Sequence, residues 1–204
     1  MKNTIQTLII VLLSANLFAQ NKTADNLNRL GITHFDSLNY VAAINCFTKA
    51  ISLDSTNHEY YSNRAMANFS MKQYSQALTD IDKALALKKD FPGAYYLRGN
   101  IKNKSGDPDG AHKDFMKELI FNRECFKCYY NIGNIYMEKK DYTLALEMFA
   151  KCSAIEPTFS EAYNNSGIVH YKMKNKIKAC EDWKKAFELG NKEAGKDLAR
   201  FCNQ

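Results

Sequence analysis

The chain has 204 residues, of which 46% are hydrophobic and 25% charged, and its formal net charge is +6. This is an ordinary globular composition, with enough apolar residues for a continuous core. The positive excess is mild, and its longest run, residues 172–178, is interrupted by apolar and Asn residues. No basic motif with interleaved aromatic residues accompanies it, so the charge favours solvated helix surfaces over a nucleic-acid-binding patch.

The N-terminal segment, residues 1–19, is predicted to be a cleaved secretory signal peptide. Lys2 supplies the positive start, Leu8 to Leu13 is an unbroken apolar run, and Ala19 is a small residue suited to cleavage before Gln20. The apolar segment is short for a bilayer span, which favours a leader over a membrane anchor. We therefore expect an exported protein, periplasmic or secreted, without a transmembrane segment once the leader is removed.

After the leader, a pattern recurs every 34 residues, and residues 24–204 are predicted to form one repeat domain. Each copy has apolar residues at helical spacing in two segments separated by a tight turn, which predicts a pair of amphipathic helices. Neither helix can bury its apolar stripe alone, so each pair needs neighbours. The predicted repeats span residues 24–57, 58–91, 92–125, 126–159 and 160–193.

Three positions of the repeat predict how the paired helices pack. A small residue recurs once in each segment, and a large apolar residue recurs in the second segment. We expect the two helices to approach closely at the small residues, with the large side chain closing the core beyond them. The small residues are Gly31, Ala65, Gly99, Gly133 and Gly167 in the first segment and Ala43, Ala77, Ala111, Ala145 and Ala179 in the second; the large ones are Phe47, Ile81, Phe115, Phe149 and Trp183.

The third repeat is the least regular copy and is expected to be the loosest. Pro108 stands where three other repeats carry Tyr, and Glu118 stands in a position that holds Ala in three others. Its turn, residues 105–110, contains two Asp residues. The turn lacks the further spaced carboxylates and the terminal Glu of a calcium loop, so a plain turn is the better interpretation.

A further helix is predicted to close the C-terminal end of the array. Residues 194–204 form this cap, with Leu198 and Phe201 covering the apolar end of the fifth repeat. A stack of repeats needs such a terminal element, because its last apolar face would otherwise lie in water.

These features resemble the tetratricopeptide repeat (TPR) family. The resemblance lies in the 34-residue period, in YYLRGN at Tyr95–Asn100, in DYTLALEMF at Asp141–Phe149 and in Pro157, which ends its repeat. It implies an all-α fold, a right-handed α-solenoid of five helix-turn-helix repeats plus a C-terminal capping helix. It also implies a concave groove that binds a protein or peptide partner, and no chemistry.

The sequence offers no catalytic constellation, and we predict that the protein is not an enzyme and needs no cofactor or metal. His34 and His170 share a repeat position with Tyr136 and are interpreted as half-buried packing residues. His58 and His112 have no Cys or carboxylate at metal-ligand spacing. Phosphate-binding glycine loops and nucleophile elbows are absent from the sequence.

The cysteines fall into two kinds. Cys152 stands in a mostly Ala position and is predicted to be a buried small hydrophobe, while Cys125 and Cys128 form either a local disulfide or two unpaired thiols. The segment from Cys180 to Cys202 is similar to the closing segment of many exported bacterial repeat proteins, which implies a Cys180–Cys202 bridge with Cα atoms within about 7 Å. The alternative for this pair is two buried thiols.

In the TPR family the first helix of each repeat lines the groove, which implies the partner-binding residues here. The surface is rich in Asn, Tyr and Met, and Asn can donate to and accept from a peptide backbone at once. The alternatives are that Asn only fills a solvated surface, or that the protein is a structural subunit docking through its convex face or ends. Tyr96 and Tyr130 stand where the chaperone-tail subfamily needs Lys. The predicted residues are Asn28, Ser62, Asn63, Met66, Tyr96, Asn100, Lys127, Tyr130, Asn131, Asn134, Asn164, Asn165 and Tyr171.

Overall fold

The computed structural model describes the backbone from Lys2 to Cys202 and the side chains from Ala19 to Cys202. This part of the chain contains eleven helices and no strand. The helices are α1 (Lys2–Asp36), α2 (Tyr40–Leu53), α3 (His58–Ser70), α4 (Tyr74–Leu87), α5 (Ala94–Lys104), α6 (Pro108–Phe121), α7 (Phe126–Glu138), α8 (Tyr142–Ile155), α9 (Ser160–Lys172), α10 (Lys176–Glu188) and α11 (Lys192–Phe201).

The chain forms two compact units, Met1–Asp107 and Pro108–Gln204. The first contains α1 to α5 and the second α6 to α11, so the boundary falls inside the third sequence repeat. Within the first unit α2 packs on α1, and α4 packs on α3; within the second, α8 packs on α7, and α10 on α9. These are the helix pairs that the 34-residue period predicts.

The first helix is longer than the sequence analysis predicts. It begins at Lys2 and continues without a break to Asp36, whereas the first repeat was expected to start near Ala24. The physical reason is that no Pro or Gly precedes Gly31, so nothing in the leader stops a helix. The side chains of residues 1–18 lie outside the described residues, and the signal-peptide prediction falls on them. Within the described part of the chain, no helix is both long and apolar enough to cross a bilayer.

The turn between the two helices of each repeat places one residue in the left-handed region of φ. These residues are spaced 34 apart: Leu38 (61°), Lys72 (60°), Gly106 (92°), Lys140 (65°) and Lys174 (62°). The next N–H bonds back five residues, as from Asn39 to the carbonyl of His34 at 2.8 Å, which satisfies a free carbonyl at the end of the first helix. Only the third repeat uses glycine for this conformation.

Asn and Pro residues fix where the following helices begin. The Asn39 side chain accepts the N–H of Ala42 at 3.2 Å, and the Asn175 side chain accepts the N–H of Lys178 at 3.2 Å. Such caps satisfy backbone donors that have no partner inside the helix. Pro108 is the first residue of α6, where its missing N–H removes no helical bond.

Glycine on the first helix faces an aromatic ring on the second. A Cβ placed on Gly31 would lie 2.5 Å from the Phe47 ring, and one on Gly133 would lie 2.6 Å from the Phe149 ring. At Gly167 the nearest Trp183 ring atom would also be 2.6 Å away. The predicted close approach of the paired helices is therefore confirmed, and the glycine is what makes room for the ring.

The second repeat uses a smaller pair at the same two positions. Ala65 takes the glycine position and Ile81 takes the ring position, and both side chains are completely buried in one core cluster. The two positions thus change size together: glycine stands with an aromatic ring, and alanine with isoleucine.

The Gly133→Ala variant is expected to lower the free energy of unfolding by about 1 to 2 kcal/mol, because the added methyl collides with the fully buried Phe149 ring. Adding Phe149→Ile recreates the pair found in the second repeat and is expected to recover part of this loss. Urea unfolding of the single and double variants measures both effects. A double variant less stable than Gly133→Ala would show that the sizes of the residues at positions 133 and 149 are not matched to each other.

The cap packs as the sequence predicts. Leu198 and Phe201 of α11 lie against the buried cluster of Ala179, Trp183 and Ala186 on α10. The Phe201 and Trp183 rings are stacked with centroids 5.8 Å apart. The Asn191 side chain caps α11 by accepting the N–H groups of Glu193 and Ala194, each at 3.1 Å.

Candidate functional site

In the first unit, the predicted binding residues lie along α1, α3 and α5. Asn63 donates its side-chain amide to the Asn28 side-chain oxygen at 2.9 Å, which joins α3 to α1. Asn28 and Ser62 are buried, at 7% and 8% exposure, so they offer little surface to a partner. Met66 is exposed, whereas Tyr96 and Asn100 on α5 are half-buried.

In the second unit, an Asn network joins α7 to α9. Asn165 donates its amide to the Asn134 side-chain oxygen at 2.7 Å and to the Tyr130 hydroxyl at 3.2 Å. Asn164 donates to the Asn165 side-chain oxygen at 3.4 Å. Lys127 is exposed, and Asn131 is half-buried.

The Asn residues therefore join neighbouring first helices. Asn28 and Asn63 are 35 positions apart, as are Tyr130 and Asn165. Each contact therefore joins a residue to the one that follows its equivalent position in the next repeat. The sequence left two interpretations, ligand contact or solvated filler, and the structure adds a third: side-chain amides hold adjacent first helices together. An amide has two donors and an acceptor with two lone pairs, so these groups keep hydrogen-bonding capacity beyond the observed contacts.

Tyr130 and Tyr171 belong to different surroundings. The Tyr130 ring packs edge-on against Phe159 at 5.0 Å and lies 6.0 Å from Phe149, while its hydroxyl accepts from the Asn network. Tyr171 is 42% exposed, and its ring lies 4.5 Å from that of Phe201 in the cap. The structure thus places Tyr171 in a C-terminal aromatic cluster and Tyr130 in the Asn network.

A polar network in the first unit was missed by the sequence analysis. Arg64 donates two hydrogen bonds to Asp80, at 2.9 and 2.7 Å, and a third to the Thr48 hydroxyl at 3.0 Å. Asn68 donates to the same carboxylate at 3.2 Å. Asp80 is only 5% exposed, so its charge is held by this bidentate pair and the amide.

The second unit has a related pair, which corrects the interpretation of His170 as a packing residue only. His170 Nδ1 lies 2.7 Å from the Asp182 carboxylate. Burial raises the pKa of Asp182, and the neighbouring His170 opposes that rise. His170 and Asp182 are twelve positions apart, as are Asn68 and Asp80. The recurrence of Asp at this repeat position is the sequence signal that could have found both pairs.

His112 and His58 lie beside aromatic side chains. His112 Nε2 lies 3.2 Å from the Tyr136 hydroxyl, and burial together with Lys139 lowers the pKa of the imidazole. The His58 ring packs edge-on against Phe91 at 4.5 Å. In the part of the chain with described side chains, no three His, Cys, Asp or Glu residues are placed to hold a metal ion.

Four of the six cysteines form two close pairs, while Cys46 and Cys152 are free. The sulfur atoms of Cys180 and Cys202 lie at bonding distance with Cα atoms 5.8 Å apart, and those of Cys125 and Cys128 do so with Cα atoms 5.3 Å apart. This placement favours the bridged alternative for each pair. Cys152 is buried, as predicted, and burial raises the pKa of its thiol to about 12, so it is inert at neutral pH.

Packed helix pairs with repeated small-to-large contacts and a terminal cap define a helical-repeat protein with five repeats and a capping helix. Residues 58–91 and residues 126–159 each match the tetratricopeptide repeat family. The chain is a TPR protein, and its fold class is the all-α solenoid of that family.

Sequence relatives share part of this chain. The small glutamine-rich tetratricopeptide repeat-containing protein 2 of Saccharomyces cerevisiae is 34% identical over 145 residues, which is 71% of this chain and 40% of the relative. A heat shock protein sti1 homolog of Schizosaccharomyces pombe is 36% identical over 96 residues, or 47% of this chain and 16% of the relative. The chain thus spans less than half the length of these relatives.

Solved structures share the fold. A MamA crystal structure superposes with a TM-score of 0.74 at 21% identity, covering 85% of this chain and 95% of MamA. The first TPR of Spaghetti (RPAP3), solved with an HSP90 peptide, superposes with a TM-score of 0.56 at 28% identity, covering 58% of this chain and 96% of that one. TPR proteins are protein-interaction modules and are generally non-catalytic, and none of these similarities indicates an enzyme family.

Proposed function

We propose that this protein is a non-enzymatic interaction module that binds a peptide segment of a partner protein along its first helices, in the bacterial cell envelope. The observation that carries the proposal is the Asn network of the first helices. Asn134 and Asn165 present side-chain amides beside the half-buried Tyr130 on the surface that the family uses for partners. The peptide seen with the RPAP3 TPR supports the same kind of ligand.

The chemistry of this surface suits an extended or helical peptide. Asn amides can both donate to and accept from backbone groups, and Tyr130 offers apolar area with a polar tip. In the first unit, Met66 on α3 is exposed, and a Met side chain can adapt its shape to an apolar group of a partner. Because the Asn side chains already hold one another, they are pre-organised, and binding costs less side-chain entropy.

The envelope location is supported by the leader sequence. Lys2, the apolar run from Leu8 to Leu13 and Ala19 form the arrangement of a secretory signal peptide. The two close cysteine pairs suit an oxidising compartment, where disulfides persist. The partner is then a protein of the same compartment.

A second candidate function is that of a structural subunit that docks through its second helices. Apolar side chains exposed on these helices favour it: Val41 on α2 is 58% exposed, and Ile177 on α10 is 75% exposed. In the second unit Ile177 lines an open apolar cavity together with Leu198, and exposed apolar side chains grouped in this way are typical of protein contacts.

The test is a pull-down from bacterial envelope extract that uses the chain starting at Gln20. A first-helix variant, Met66→Glu with Lys127→Glu, changes one exposed first-helix residue in each unit and is expected to lose the partner bands. The matched control, Val41→Glu with Lys117→Glu, changes exposed residues of α2 and α6 and is expected to retain them. Loss in the control alone would favour docking through the second helices, and equal partner sets in all three proteins would refute the first-helix surface.

A further inference from the structure

The C-terminal end of the second unit contains an open cavity of about 800 Å³ between α9, α10 and α11. Its floor is apolar and aromatic, and its rim carries most of the local charge. The floor consists of Ile168, Tyr171, Trp183 and Phe201, and the rim of Lys172, Lys174, Lys176, Asp197 and Arg200.

The floor is a stack of three aromatic rings. The centroid of the Phe201 ring lies 4.5 Å from that of Tyr171 and 5.8 Å from that of Trp183. Tyr171 keeps 42% of its surface exposed. A concave apolar floor with an accessible aromatic ring is the kind of surface that receives a bulky apolar side chain.

This exposure of Tyr171 is particular to the fifth repeat. In the first two repeats the same position holds Phe35 and Phe69. The first residue of the next helix packs on each ring, with Tyr40 5.3 Å from Phe35 and Tyr74 6.0 Å from Phe69 between ring centroids. In the fifth repeat the position of those Tyr residues holds Lys176. The usual aromatic cover is therefore replaced by a cation, which leaves the Tyr171 ring accessible.

The rim is strongly cationic. Lys172 ends α9, Lys174 occupies the turn and Lys176 begins α10, and Arg200 approaches from the cap. In the part of the chain with described side chains, none of these three Lys residues takes part in an ion pair. The single acid of the rim is Asp197, and burial raises the pKa of its carboxyl. Three lysines outside any described ion pair, around an apolar floor, complement an acidic ligand.

We propose that this pocket binds an acidic peptide segment that carries a bulky apolar side chain, with the apolar side chain on the aromatic floor and Asp or Glu residues against the Lys rim. The inference rests on the proposed function and deepens it, because it names the chemistry of the peptide at one end of the binding surface.

The experiment uses the fluorescence of Trp183, the only Trp of the chain, which lies in the floor. Three short synthetic peptides are titrated: one with a central Phe flanked by Glu and Asp, one with Gln and Asn in place of the acids, and one with Ala in place of Phe. The acidic Phe peptide is expected to change the emission saturably, and each altered peptide to bind about tenfold more weakly or worse.

Two matched variants test whether the peptide binds at the Lys rim of this pocket. Lys174→Glu is expected to weaken binding of the acidic Phe peptide about tenfold, since it reverses one rim charge. Lys140→Glu makes the same change at the equivalent left-handed turn position of the fourth repeat and is expected to leave binding unchanged. Circular dichroism checks that both variants remain helical.

Three outcomes would overturn the inference: equal binding of the neutral peptide, equal weakening by Lys140→Glu, or displacement of the peptide by polyuridine RNA, which would show a surface that accepts any polyanion. Failure here leaves the proposed function standing if the variant with Met66→Glu and Lys127→Glu still loses its partner. If both experiments fail, the proposed function fails as well.

Discussion

Replacing Asp80 by Ala is expected to lower the free energy of unfolding by about 3 to 5 kcal/mol, because it removes one partner of a largely buried ion pair. The Arg64 guanidinium, now paired bidentately, and the Asn68 amide would both lose their shared acceptor. Neither group can turn fully to water, since the Arg64 side chain is 22% exposed and Asn68 is buried. Urea denaturation monitored by circular dichroism measures the loss.

The same helix provides the control. Asp82 lies two residues after Asp80, and its carboxylate accepts a hydrogen bond from Arg98 at 2.7 Å, but its side chain is 58% exposed. Asp82→Ala is expected to cost at most about 1 kcal/mol, as exposed ion pairs contribute little. If the two variants lose equal stability, burial does not determine the strength of the Asp80 network.

Removing the Cys180–Cys202 pair is expected to cost about 3 kcal/mol, because a bridge across this segment restricts the unfolded chain. The variant with Cys180→Ala and Cys202→Ala should loosen α11 before the rest of the second unit. Trp183 is 1% exposed and stacked on Phe201, so loosening the cap should shift its emission to longer wavelength. Chemical denaturation followed by this fluorescence reports the change.

The second cysteine pair serves as the comparison. Cys125 and Cys128 are three positions apart, so a bridge between them restricts the unfolded chain much less. The variant with Cys125→Ala and Cys128→Ala should lose less stability and leave the native emission of Trp183 unchanged. Non-reducing peptide mapping of protein purified from the envelope tests the bridge directly. Free thiols at both Cys180 and Cys202 would show that the cap rests on Leu198 and Phe201 packing alone.

The fold could be predicted because its packing is periodic. Each repeat holds a small residue on the first helix and a large one on the second, 34 positions from the next copy, so a single chain shows the pattern several times. The start of α1 could not be predicted in this way, because residues before Ala24 belong to no repeat. The boundary between the compact units, after Asp107, also has no counterpart in the period.

The candidate site could be predicted only in part. Helical spacing is enough to place Asn134 and Asn165 on first helices, but not to show that they bond each other. That contact depends on the offset of 31 positions between them, which is set by how the neighbouring helices pack. The Arg64–Asp80 pair was missed for a related reason: it joins two helices of one repeat across sixteen positions. Arg and Asp recur together at these positions only in the third repeat, as Arg98 and Asp114.

The match between glycine and ring also bears on how such an array changes in evolution. Gly133 and Phe149 lie in one repeat, as do Ala65 and Ile81, so each 34-residue copy contains both members of its own contact. Duplication or deletion of a whole copy preserves the fit, whereas recombination between the two helices of a copy would set Ala65 against Phe149. The unit of genetic exchange that keeps this core intact is therefore the complete helix pair, bounded at the loops between repeats.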